Sequence, residues 1–372
     1  MSSVLQDARY AVRGMRRDLS FFAVAVLIIG VGIGASTSIF SVVNALLLRG
    51  LPFQEPERLV WVANTGKGSG LSAVTSRASA LRDWRRLNQS FAGLTGYFAF
   101  FDYEGYNLVG SGEPERCVGV RVVQDFLTVL GIQPRLGRNF VPEEAVWNGR
   151  RAAILTDGFW KRRFGGDPAI VGRSITLDEH PTEIVGVLPA AFDFASIFSP
   201  TSRVDFLLPF PIGRESDRMG NTLAIIGRLR PGVSVERAQA ELASITERLK
   251  EDDPSLRGNW GARVTALEDH ITGRYRRPLA VLAAAVLVVL LIACANLSNL
   301  LLARGASRRT ELALRSALGA GRARLVGQLL VESLLLSLCG AALGLALAVA
   351  VTRGISSASA VAIPLLGAVT MD

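Results

Sequence analysis

Apolar residues gather in three long blocks along the chain. Residues 21–47 and 278–303 contain no charged side chain, and residues 328–352 contain one, Glu332. Each block exceeds the roughly 20 apolar residues that cross a hydrocarbon core of about 30 Å. The pattern predicts three membrane spans. The first is longer than the roughly 7–15 apolar residues of a signal-peptide core, so it reads as a retained anchor. Ahead of it, Leu5, Ala8, Val12, Met15 and Leu19 recur at spacings of three and four with arginines between them. That stripe predicts a helix lying in the membrane interface within residues 1–20, with a simple polar lead-in as the alternative.

Residues 50–277 carry shorter periods. Leu59-Val60-Trp61-Val62 reads as a strand, residues 76–89 as a helix with Ser76 at its N-cap, and Phe91 to Phe101 as a second strand. Near the other end, Leu223 to Leu229 is strand-like, Pro231-Gly232 turns the chain and Ser234 caps a helix. Val235, Ala238, Leu242, Ile245 and Leu249 then form the stripe of a half-buried helix, and Arg263 to Leu267 is again a strand. Between these two β-α-β units lie short strands, brief helices near 123–130 and 156–164, and a hairpin turning at Asp178-Glu179-His180-Pro181. The expected architecture is a helical membrane protein with an α+β domain. That domain has one subdomain split over about 50–104 and 216–270, and a mostly-β subdomain inserted at about 105–215.

Charge places the domain. The net charge of +9 would fit a nucleic-acid binder if it were clustered on one surface. Instead, four arginines oppose two aspartates in residues 1–20, and six arginines oppose Glu311 in residues 304–327. Residues 50–277 are nearly balanced. Positive charge beside spans marks the cytoplasmic side, so the N-terminus and residues 304–327 are expected inside. Residues 50–277, and residues 353–372 as the start of an outer loop, are expected outside. Arg49 and Arg353 oppose this assignment but are outnumbered.

Catalytic patterns are missing. Gly66-Lys67-Gly68-Ser69-Gly70 lacks the order of a phosphate-binding P-loop and reads as a loop. Neither G-x-S-x-G nor H-E-x-x-H occurs. His180 and His270 have no evident metal or triad partners, and Cys117, Cys294 and Cys339 define no metal site. No catalytic residue, metal or cofactor is expected.

The spans and the inner loop carry the remaining signals. Gly30, Gly34 and Ser38, and again Gly340 and Gly344, place small residues at four-residue spacing, which lets another helix approach closely. Glu332 is an ionisable group inside a span. Pairing with an inner-loop arginine, or with Asn296 or Asn299 on the second span, is one reading, and shallow placement at the interface is the other. In the loop, Glu311 and Arg315 are spaced for a helical ion pair. The short charged helix they predict suits contact with a cytoplasmic partner and, equally, with anionic lipid headgroups.

Taken together, several runs resemble the MacB/FtsX-type ABC transporter permeases, in the form without a fused ATPase. These are Leu5 to Gly14, Gly30 to Ala35, Ile39 to Asn44, Leu130 to Arg138, Trp160 to Gly166, Val185 to Pro189, Arg228 to Val233, Arg308 to Gly319 and Gln328 to Ser333. The resemblance implies a porter-like subdomain with an insertion, standing on the extracytoplasmic or periplasmic side of the plasma (inner) membrane. It implies a permease dimer that binds a separate ATPase through Arg308, Arg309, Glu311, Leu312, Arg315 and Leu318. It also implies mechanotransmission, in which ATP hydrolysis inside moves the outer domain to export or extract a substrate, with an outer-membrane channel or adaptor as a further partner. The alternative is a transducer that activates an extracytoplasmic enzyme such as a cell-wall hydrolase. The family has four spans per unit, so a chain with three is expected to be an incomplete unit or half of a duplicated permease.

Overall fold

A computed structural model describes residues 18–44, 50–65, 74–110, 113–200, 202–252, 261–307 and 322–357. The interfacial helix expected before residue 18, the loop at 66–70, the inner-loop segment 308–318 and the stretch after 357 lie outside the described residues. By Cα proximity the chain divides into a sheet-based unit, residues 49–274, and a helical unit built from the apolar segments.

In the sheet unit, β1 (Leu59–Ala63), β2 (Phe91–Phe98), β11 (Leu223–Leu229) and β12 (Arg263–Ala266) lie side by side in the order β12-β1-β11-β2. Every neighbouring pair is antiparallel, with Val60 opposite Ala266, Leu59 opposite Arg228 and Ile225 opposite Gly96. The helix α2 (Ala78–Leu87) joins β1 to β2, and α7 (Val235–Asp252) joins β11 to β12. Each β-α-β unit therefore holds a strand of the other between its own two strands, the split arrangement of ferredoxin-like domains. Gly96 is required here, because a Cβ would stand 2.5 Å from the Ala224 carbonyl oxygen on the neighbouring strand.

The two helices are tied together. Buried Trp84 of α2 donates Nε1–H to Thr246 Oγ1 of α7 at 3.1 Å. The Glu241 carboxylate of α7 accepts the backbone N–H groups of Gln89 and Ser90 at 2.7 and 2.9 Å, just past the end of α2. Ser234 caps α7 as expected, its hydroxyl accepting from Arg237 N–H. Ser76 does not cap α2. Arg77 occupies that position, and the backbone of Ser76 forms an isolated bridge with Leu223 instead. The sheet fixes the backbone of Ser76 through N–H and C=O bonds to Leu223 at 2.8 and 2.9 Å, and the buried Ser76 hydroxyl caps nothing.

From β2 the sheet continues through one ladder pair, Tyr97 opposite Val122, into β5 (Gly119–Val122). Next come β10 (Phe206–Pro209), β7 (Ala152–Leu155), β9 (His180–Val187), β8 (Ser174–Leu177), β3 (Tyr106–Val109) and β4 (Glu115–Cys117). The pairs β5–β10 and β7–β9 are parallel, and β6 (Leu136–Gly137) pairs with β9 off the main path. The hairpin forms with a tighter turn than the sequence predicts. Asp178 and Glu179 alone turn, both at positive φ, while His180 and Pro181 belong to β9. Two left-handed residues match the twist of the flanking strands. The Asp178 carboxylate anchors the turn by accepting Asn107 N–H at 2.8 Å.

Short helices α3 (Phe126–Leu130), α4 (Asp157–Phe164), α5 (Phe194–Phe198) and α6 (Arg214–Asp217) cover the sheet. The larger core centres on buried Tyr97, which meets Phe194 edge-on at 5.0 Å and Phe126 edge-on at 6.2 Å. Each such ring pair adds about 0.5–1.5 kcal/mol beyond burial. A second core under α4 gathers Phe159, Trp160, Leu155 and Phe206.

The helical unit contains α1 (Leu19–Val43), most of α8 (Leu267–Ser307) and α9 (Arg322–Ser357). All three helices are long and apolar enough to cross a membrane. Helix α8 starts earlier than the apolar run. It follows β12 without a loop, and its first turns bury Leu267 and Ile271 in the sheet core. Charged residues between Glu268 and Arg277 keep that part out of hydrocarbon.

Candidate functional site

The small residues of α1 and α9 meet. A Cβ on Gly30 would stand 2.7 Å from Leu343 Cδ2, and one on Gly34 would stand 3.1 Å from both the Gly344 carbonyl oxygen and Leu347 Cβ. Reciprocally, a Cβ on Gly344 would stand 2.8 Å from Ile33 Cβ and 3.0 Å from the Gly30 carbonyl oxygen, and one on Gly340 would strike Ile29. The structure thus brings Gly30, Gly34, Gly340 and Gly344 into one seam where the two backbones touch. Buried Ser38 extends the seam on α1, its hydroxyl bonding back to Gly34 O at 2.8 Å. Without a hydrophobic drive between helices in lipid, such close van der Waals packing is a main source of association.

Helix α1 also faces α8. A Cβ on Gly32 would lie 3.5 Å from Leu290 Cδ1 and 3.8 Å from Ala293 Cβ. Two residues along a helix turn the side chain by about 200°, so the α8 contact lies opposite the α9 seam. Directions follow from the pairings. Rising numbers in α1 meet rising numbers in α9, so these helices are parallel. Arg304, late in α8, lies over the ring of Phe21, early in α1, at 4.3 Å, so α8 runs the other way. That cation–π contact contributes about 0.5–1 kcal/mol where exposed.

Of the polar span residues, Asn296 and Asn299 lie on α8, both exposed, and half-buried Glu332 lies on α9. Arg308, Arg309, Glu311, Leu312, Arg315 and Leu318 fall outside the described residues.

The sheet unit has charged features that the sequence did not reveal. Glu115 and Asp205 share two arginines. Arg162 reaches Glu115 at 2.6 Å and Asp205 at 3.2 Å, and Arg203 reaches them at 3.1 and 2.9 Å. Asp205 is buried and also accepts Val118 N–H at 3.0 Å. Burial pushes its carboxyl above the ordinary aspartate range, against the opposing pull of that hydrogen bond and of Arg162. The same burial, reinforced by Asp205 and Glu115, pushes the Cys117 thiol up to about 12. Such a thiol stays protonated and is a poor nucleophile. Arg162 stands more than 40 residues from both of its acceptors, so the charged run Lys161-Arg162-Arg163 was visible without them.

Beside this network lies a cleft of about 640 Å³ formed by the start of α4, residues 190–195 and residues 202–205. A second, of about 450 Å³, lies among Tyr106, residues 146–152 and the start of β9. His180 borders the second cleft, and His270 stacks on Trp61 at 3.9 Å between ring centres. Among the described residues no three metal-ligating side chains converge.

Residues 22–245 match the family model of the MacB-like periplasmic core domain, and residues 283–368 match that of the FtsX-like permease C-terminal region. The macrolide export ATP-binding/permease protein MacB of Burkholderia thailandensis is 24% identical over 242 residues, covering 61% of this chain and 34% of that protein. The protein of the same name from Shewanella sp. (strain W3-18-1) is 25% identical over 225 residues, covering 60% and 33%. The chain therefore spans about a third of the length of these relatives. Among solved structures, the periplasmic region of MacB from Actinobacillus actinomycetemcomitans is similar over 62% of this chain and 97% of that one, with 16% identity and a TM-score of 0.44.

Proposed function

The chain belongs to the MacB/FtsX-type ABC transporter permeases, and we propose that it is a permease subunit coupling ATP hydrolysis in a separate ATPase to movement of its sheet unit. It is a membrane protein with an extracytoplasmic α+β domain. In this reading α1, α8 and α9 cross the membrane in alternating directions. Residues 50–104 and 216–270 form the porter-like subdomain, residues 105–215 form its insertion, and the substrate is exported or extracted on the outer side.

The observation that carries the reading is the arrangement of the helical unit. Parallel α1 and α9, with α8 antiparallel beside α1, is the packing that out, in and out crossings produce. It agrees with the charge asymmetry that puts residues 304–327 inside. The glycine seam favours movement of α1 and α9 together, because two touching backbones leave little room for sliding. Arg308, Arg309, Glu311, Leu312, Arg315 and Leu318 then form the ATPase contact, and the assembly is a permease dimer with an outer-membrane channel or adaptor.

The test uses the full chain with its cognate ATPase in reconstituted membranes. Replacing Glu311 and Arg315 with alanine is expected to weaken ATPase binding and abolish its stimulation. Unchanged binding and stimulation would overturn the coupling role.

A further inference from the structure

The second cleft of the sheet unit is lined by residues that no part of the coupling reading uses. Its volume of about 450 Å³ falls in the range of small-molecule sites, about 300–1,000 Å³. One wall is the loop carrying Val146 and Trp147, which are 55% and 50% exposed. An aromatic and a branched aliphatic side by side in water are an unsatisfied apolar surface.

The loop is held in place. The Glu144 carboxylate, also at the cleft, is already engaged by the Arg138 guanidinium at 2.7 and 3.1 Å and by Val141 N–H at 2.9 Å. Gly149 N–H closes a turn onto Val146 O at 3.0 Å, with Asn148 at positive φ. A Cβ on Gly149 would meet Glu143 O at 2.6 Å, so the turn has no slack. Trp147 is therefore presented by a fixed scaffold, which lowers the entropy lost on binding.

The rim is cationic. Arg121 is occupied, paired with Glu104 at 2.5 Å and lying over the Phe98 ring at 4.4 Å. Arg150 is not so held, because its side chain is 83% exposed and Glu183 is 3.9 Å away. Arg151, also exposed, has no carboxylate within 4 Å among the described residues. Two available guanidinium groups beside an apolar wall favour an oxyanion and repel a cation.

We infer that this cleft binds an anionic amphiphile, a carboxylate or phosphate attached to an apolar ring or short chain. Arg150 and Arg151 take the oxyanion, and Val146 and Trp147 cover the apolar part. The site belongs to the sheet unit alone, so it stands or falls separately from ATPase coupling.

The test places the full chain in nanodiscs of zwitterionic phospholipid. Binding of 2-naphthoate, 2-naphthyl phosphate and neutral 2-naphthol is measured by calorimetry against empty nanodiscs. Both anions are expected to bind at least tenfold tighter than 2-naphthol, and the tighter anion identifies carboxylate or phosphate as the source. Replacing both arginines (R150Q/R151Q) should weaken the anions at least tenfold and leave 2-naphthol within twofold. Trp147→Ala should weaken all three. Equal affinity for anion and alcohol, or anion binding unchanged in R150Q/R151Q with an intact near-ultraviolet spectrum, would overturn the inference.

Discussion

The backbone carbonyl oxygen of Gly344 on α9 lies 3.1 Å from the position that a Cβ atom would take on Gly34 of α1. That approach leaves room for hydrogen alone. Gly34→Leu would drive a side chain into Gly344 and Leu347, and overpacking of this kind costs about 1–3 kcal/mol. The variant is expected to lose thermal stability in detergent, whereas Gly305→Leu, with nothing near its Cβ position, should not. Equal melting temperatures for the two variants would remove the seam from the account.

The tie between the two sheet helices is testable in isolation. Thr246→Val keeps shape but removes the acceptor of the buried Trp84 Nε1–H. An unsatisfied buried donor costs about 1–3 kcal/mol. Denaturant unfolding of the full chain, followed by tryptophan fluorescence, should show a loss of that size for T246V and a much smaller one for T246S. If the two variants unfold alike, the hydrogen bond contributes little.

Asp205 gives a pH dependence whose sign can be worked out. Burial raises its folded-state pKa above the ordinary 3.8, so the fold favours its protonated form. The corresponding stability is present below the unfolded value and is lost as pH rises through the folded one. Asp205→Asn cannot ionise and lacks this term. From pH 3.8 upward the wild type should therefore lose stability relative to D205N, measured by unfolding across the acid range. A relative gain for the wild type would mean that Arg162 and Arg203 outweigh burial.

Local features of the fold were legible in the sequence. The run Leu223 to Leu229 is bounded as a strand, and the stripe from Val235 to Leu249 lies on a helix, because both are set by short-range periodicity. Long-range pairing was not. Nothing in Leu59 to Ala63 shows that β11, more than 150 residues away, lies beside it. Ser76 shows how tertiary demand overrides a local signal, since its backbone completes a bridge to Leu223. At the candidate site, the four-residue spacing of the glycines was visible, but the helix each one meets was not. The Glu115–Arg162–Asp205 network joins charges from three separate segments, and Val146-Trp147 gave no periodic signal at all.

Movement of the sheet unit driven by ATP is the central claim, and a distance measurement tests it most directly. Spin labels are placed at Tyr103, 81% exposed in the sheet unit, and Leu302, 71% exposed on α8, in a chain whose native cysteines are replaced. The full chain is reconstituted in nanodiscs with its cognate ATPase, and the interlabel distance is read with and without ATP. The account predicts a distance distribution that shifts on ATP binding and returns after hydrolysis. A distribution identical in all nucleotide states, with the ATPase bound and turning over, would contradict it.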